Sequence, residues 1–154
     1  MSQEITYELY DSFQRVELGR WDALIAEDVE VNSPAGWGMT GLDGLKAWAE
    51  AFAGGLAEQI NLVDEHLALD DEGNGRGFIT FQLNWKHSQD FFGLQPTGRE
   101  GTSIESLILT IKGGKITKMD VADHTLDLAH YLITRGWPSP HNIRLPALVE
   151  GVKR

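Results

Sequence analysis

The sequence predicts an α+β fold, with a curved, mainly antiparallel sheet packed on N-terminal helices around a hydrophobic cavity. Three observations predict it. Apolar residues recur every three or four positions in the first third of the chain, then alternate along the middle, a switch from helical to strand period. The pair Gly113-Gly114 divides two alternating runs, a strong hairpin signal. Helices that precede the strands, rather than interleave with them, belong to α+β architectures.

Taken in order, Ile5, Leu9, Phe13 and Val16 form one helical stripe, and Gly19 is a plausible stop. A short second helix holds Trp21, Leu24 and Ile25, and Val29 and Val31 alternate with Glu30 and Asn32 as a short strand. The stretch Ser33 to Gly38 reads as a loop. A helix fits Leu42 to Leu56, with Asp43 as cap and Leu45, Trp48, Ala49, Phe52 and Leu56 as its apolar face. Strands follow at Ile60 to Leu69, Phe78 to His87, Ile104 to Ile111 and Lys115 to Val121, the first pair joined by the polar turn Asp70 to Gly77. A last helix starts near Asp123 or Thr125 and ends before Gly136-Trp137-Pro138.

At 154 residues the chain suits one domain covering 1–154 and can bury a core. There is no cysteine, which removes disulfides, thiolate nucleophiles and thiolate metal sites. A formal charge of −10 repels phosphate backbones, so nucleic acid is not an expected partner. No apolar run reaches the roughly eighteen residues of a membrane span. The opening Met1-Ser2-Gln3-Glu4 lacks the basic, then apolar, character of a secretory signal. A cytoplasmic location is therefore expected. His66, His124, His130 and His141 show no metal-ligand spacing, so neither a metal nor another cofactor is expected.

Strand alternation selects candidate catalytic groups. With Gly113-Gly114 as the two turn residues, Lys112 faces Lys115 and Leu107 faces Asp120. Asp120 then shares the apolar face of Leu107, Leu109, Ile111 and Ile116, and Glu105 lies on the same face. A carboxyl held against apolar walls can take and return a proton that one in water cannot. The other reading of Asp120 is a solvated carboxylate near a strand end; for Glu105 it is a strand that begins later. His87 ends the face of Ile79, Phe81, Leu83 and Trp85, where it could shuttle a proton or simply be hydrogen-bonded. Trp37, Trp48, Trp85 and Phe92 could wall a pocket for a flat ligand or pack the core.

Several short motifs, taken in order, resemble those of the SnoaL-like polyketide cyclases, within the nuclear-transport-factor-like and ketosteroid-isomerase-like superfamily. They are Asn32-Ser33-Pro34-Ala35, the loop Gly93-Leu94-Gln95-Pro96-Thr97-Gly98-Arg99, the hairpin Gly114-Lys115-Ile116, the acidic run Asp120-Val121-Ala122-Asp123, and the helix leading to Gly136-Trp137-Pro138. The resemblance implies a cone-shaped α+β barrel around a cavity and an intramolecular aldol condensation without cofactor. It makes Asp120 the general acid/base, provided a one-residue gap follows the hairpin; without the gap the matching residue is Val121. Leu107 stands where that family carries an assisting histidine, and His87 matches another of its histidines. The expected substrate is a hydrophobic carbonyl compound, bound by Trp37, Trp85, Phe92, Leu107 and Asn32 and transformed by Asp120 with His87 and Glu105. A homo-oligomer, dimer or tetramer, is also implied. Alternatives on the same fold are an isomerase, an epoxide hydrolase, a hydroxylase partner or a non-catalytic binding protein.

Overall fold

In the computed structural model, residues 2–33 and 39–122 are described. Helix α1 spans Ser2–Gln14. It ends earlier than its apolar stripe suggests, because Val16 takes φ 58° and is exposed. The buried face is Thr6, Leu9 and Ser12, three positions apart as a helix face requires. A 3-10 turn at Leu18–Arg20 leads into the one-turn helix α2, Trp21–Leu24. Arg20 donates to Asp11 (2.7 Å), Glu17 (2.9 Å) and Glu8 and so ties this corner back to α1. Trp21 also donates its indole N–H to Ser12 at 2.8 Å, which fixes the ring against α1.

Strand β1, Ile25–Asn32, begins at a residue expected to be helical. Helix α3, Gly41–Gly55, buries Leu42, Leu45, Ala49 and Phe52. Thr40, not Asp43, is its N-cap; Asp43 lies in the first turn, where a negative charge still suits the helix dipole. The chain then passes directly into β2, Leu56–Leu69. It turns at Asp70, whose carboxylate accepts the backbone N–H of Asn74 at 2.8 Å, and returns as β3, Gly75–His87. Strands β4, Glu100–Lys112, and β5, Lys115–Ala122, form the hairpin on Gly113-Gly114. Both glycines have positive φ, 55° and 78°, which such a turn requires.

The sheet order is β1-β5-β4-β3-β2, antiparallel except where β1 runs parallel to β5. Among the described residues β1 and β2 are its edges, so the curved sheet they form is open rather than closed on itself. Its inner face buries Ile79, Leu83 and Trp85 of β3, Leu107, Leu109 and Ile111 of β4, and Ile116 and Met119 of β5. α1 packs against β2, and α3 against β1. Among the described residues no helix is long and apolar enough to cross a membrane. The helix expected after Asp123 lies outside the described residues.

One irregularity decides what faces inward. In the β4–β5 hairpin Ile111 pairs with Ile116, but Thr110 pairs with Lys118, so Thr117 is an extra residue on β5, a β-bulge. Beyond it Leu107 pairs with Val121 and Ile108 with Asp120. An unbroken register would turn Lys118 and Asp120 into the apolar interior and Met119 out to water. Burying a charged group there costs several kcal/mol; the bulge instead buries Met119, which is 4% exposed.

Candidate active site

The helices and the sheet enclose a cavity with an inner volume of about 80 Å³; with its mouth to solvent the empty space is about 700 Å³. Leu9, Tyr10 and Phe13 of α1, Trp21 of α2, and Leu45, Trp48 and Phe52 of α3 form one side. Val31, Phe81, Leu83, Leu107, Met119 and Val121 form the other, with Met39 and Ser33 completing the wall. Aromatic contacts stiffen it: Tyr10 packs on Phe81 with centroids 4.8 Å apart, and Trp48 stacks on Phe52 at 5.1 Å.

Glu105 is the carboxylate in this wall among the described residues. It comes from β4, opposite Phe81 of β3, and is 4% exposed. The strand begins at Glu100, early enough for Glu105 to lie within the regular alternation that turns it inward. Tyr10 faces the same cavity. Burial, reinforced by the negative charges of Glu65 and Glu105, pushes its phenol well above the usual tyrosine pKa. The phenol therefore stays a hydrogen-bond donor. Trp48 brings an indole N–H. The Tyr10 hydroxyl and the Trp48 Nε1 are both sealed from solvent, and neither has a hydrogen-bond partner among the described residues. The other two described indoles do have one, since Trp21 donates to Ser12 and Trp85 to Ser103 at 3.3 Å.

Of the residues expected at the site, Glu105, Leu107 and Trp48 line the cavity. Asp120 does not. The bulge sets it on the outer face, where Asn32 donates to it at 2.8 Å and Lys118 stands 3.7 Å away. The inward residue at that level is Val121, the match obtained without a gap in the hairpin. Asn32 belongs to the same outer cluster with Glu30, away from the cavity. His87 is fully buried but holds a loop rather than a ligand. Its Nδ1 lies 3.0 Å from the Thr97 hydroxyl and accepts the Thr97 backbone N–H, and its Nε2 lies 3.3 Å from the Leu94 carbonyl. With Nδ1 accepting, Nε2 carries the proton and donates to Leu94. Trp85 is buried beyond the cavity wall. Phe92 is half exposed at φ 48°, and its neighbour Phe91 packs inward against Phe52 and His87. Trp37, Asp123 and His124 lie outside the described residues. No group of acidic or histidine side chains suited to a metal ion occurs among the described residues.

Tyr10 escapes a reading of the sequence by stripe, because it sits one place beyond Leu9. Its spacing from Thr6 and Phe13 is the signal that could have found it.

No family model matches the sequence, and no curated protein matches it. Solved structures do. A candidate SnoaL-like polyketide cyclase from Jannaschia sp. CCS1 is 13% identical and superposes with TM-score 0.69, over 90% of this chain and 92% of that one. A candidate polyketide cyclase from Pseudomonas putida is 20% identical, with TM-score 0.70 over 84% and 96%. This chain has the SnoaL-like fold. An NTF2-like protein of unknown function from Burkholderia pseudomallei shares it at 16% identity and TM-score 0.64, over 85% and 96%. At these identities the likeness is one of fold, and a fold of this kind hosts many chemistries. What this SnoaL-like scaffold does here has to come from its own cavity.

Proposed function

We propose that the protein is an acid/base enzyme that deprotonates a small apolar carbonyl compound at the carbon next to the carbonyl, with Glu105 as the proton-transferring group. One observation carries this reading: a carboxyl-bearing side chain is buried in the wall of a largely apolar cavity. A carboxyl held in such a wall is placed to exchange protons with a carbon acid bound beside it. In an intramolecular aldol step the carboxylate takes the α-proton, and the resulting enolate carbon attacks the second carbonyl carbon. A carbon–carbon bond forms, and the new alkoxide recovers the proton from the carboxylic acid. The step balances without an oxidant or reductant. The polyketide-cyclase names of the fold neighbours fit this class of reaction.

The test is α-proton exchange of 2,6-heptanedione in D2O, followed by NMR together with its cyclisation to 3-hydroxy-3-methylcyclohexanone. Glu105→Gln is expected to lower the rate at least about 100-fold, and Asp120→Asn to leave it within about twofold, since a positioned acid/base contributes 10²–10⁴. A Glu105→Gln variant as fast as the wild type would overturn the role. Wild-type exchange no faster than buffer would leave a second reading, a non-catalytic binding protein. That reading draws on Leu107 and Val121, apolar residues on the cavity wall where the SnoaL-like resemblance would place a histidine and, without the gap, an aspartate.

A further inference from the structure

We infer, resting on the cavity as the substrate site but not on Glu105 as its acid/base, that Tyr10 and Trp48 recognise the ligand. Each donates to a separate acceptor oxygen of one bound apolar molecule. A buried donor without a partner costs the free energy of the water it gave up. Native proteins leave few such groups, and those that persist call for an explanation. Here two of them stand on side chains that wall the same cavity, while Trp21 and Trp85 spend their indole N–H groups on nearby serines. Thr6 also has a buried hydroxyl without a partner among the described residues, but it borders only the groove between α1 and β2, whereas Tyr10 lines both that groove and the cavity.

The chemistry of the two groups narrows the ligand. An indole N–H can only donate. The Tyr10 phenol, held protonated by burial and by Glu65 and Glu105, donates as well. The ligand must therefore bring acceptors, such as ketone or ester carbonyls, in an otherwise apolar body. The two side chains line the cavity from different helices and different supports, Tyr10 against Phe81 of the sheet and Trp48 against Phe52 of its own helix. That separation fits two oxygens on one molecule better than one shared oxygen. A dicarbonyl compound is the class that meets both requirements.

The test compares three molecules of one shape by titration calorimetry: 2,6-heptanedione, 6-methylhept-6-en-2-one and 2,6-dimethylhepta-1,6-diene, in which methylene groups replace one or both oxygens. Wild-type affinity should fall about tenfold with each oxygen removed, the scale of a hydrogen bond to a buried partner. Tyr10→Phe and Trp48→Phe, which delete a donor and keep a ring, should each weaken the dione about tenfold and leave the diene unchanged. In the wild type, the Trp48 indole N–H resonance should move when the dione binds and stay in place with the diene. That measurement decides the matter even if a variant fails to fold. Unchanged dione-to-diene ratios in both variants would overturn the assignment, as would a wild type that binds none of the three. A full tenfold weakening of the mono-ketone by each variant would overturn the two-oxygen form, because a lone oxygen can turn to whichever donor remains. Glu105→Gln should lose proton exchange and keep the dione preference. If it keeps both, the acid/base reading fails while this one stands.

Discussion

Tyr10 is a neutral phenol where a phenolate would lie buried and near two carboxylates, and this has a consequence for stability in alkali. Its folded pKa is raised above its unfolded value of about 10. Above that pH the unfolded chain loses the proton while the folded chain keeps it, so the unfolded state binds fewer protons and stability falls as pH rises. The contribution is fully present below pH 10 and declines by up to about 1.4 kcal/mol per pH unit above it. Urea denaturation at pH 9, 10 and 11 should show a steeper loss for the wild type than for Tyr10→Phe. Parallel profiles would mean that the hydroxyl is hydrated. Glu105 was half legible in the sequence: alternation set it on the face of Leu107 and Leu109, but a strand read from Ile104 left it at the strand's end, whereas β4 begins at Glu100. Tyr10 was not, because a helix buries a face wider than its most apolar stripe; the buried positions of α1 include Thr6 and Ser12, which no count of apolar residues selects.

Single elements explain why the two most prominent expected catalytic groups left the site. The strands β3 and β4 and the Gly113-Gly114 turn can be read from alternation and turn chemistry, and the structure follows them. The bulge at Thr117 cannot, because one extra residue leaves no mark in composition and shifts every later side chain to the opposite face. Asp120 went outward for that reason. His87 does sit on the inward face of β3 as alternation implies, but periodicity says nothing about what a side chain bonds to. Its ring joins the end of β3 to Leu94 and Thr97, and its backbone joins Gly98 and Arg99 through bonds of 2.9 and 2.7 Å. His87→Ala keeps the backbone bonds but leaves the Leu94 carbonyl and Thr97 without the ring that partners them. It should cost about 2–4 kcal/mol of unfolding free energy, the range for breaking a buried polar network. The α-proton exchange rate per folded molecule should be unchanged at 25 °C. A large drop in rate with little change in stability would return His87 to the chemistry.

At the scale of the whole molecule, the three helices among the described residues lie on one side of an open, curved sheet and leave a gap that side chains only partly fill. The remaining inner volume, about 80 Å³, is smaller than the roughly 150 Å³ of an apolar cavity that holds benzene. A fused polycyclic substrate would have to displace the walls, whereas a chain of a few carbons can enter with its far end in the mouth. Leu107 is the wall residue best placed to test this. It is 8% exposed and lies on β4 two places from Glu105, so it shares the carboxylate's face. Leu107→Ala enlarges the cavity beside that carboxylate without touching a polar group. The fold should lose about 2–5 kcal/mol, the usual range for removing a buried leucine side chain, read by urea denaturation. The variant should also gain affinity for 1-decalone relative to 2,6-heptanedione, because the bicyclic ketone needs the space that Leu107 fills. Lost stability with no change in that ratio would mean that the neighbouring side chains collapse into the gap, and that substrate size is set at the mouth rather than at the β4 wall.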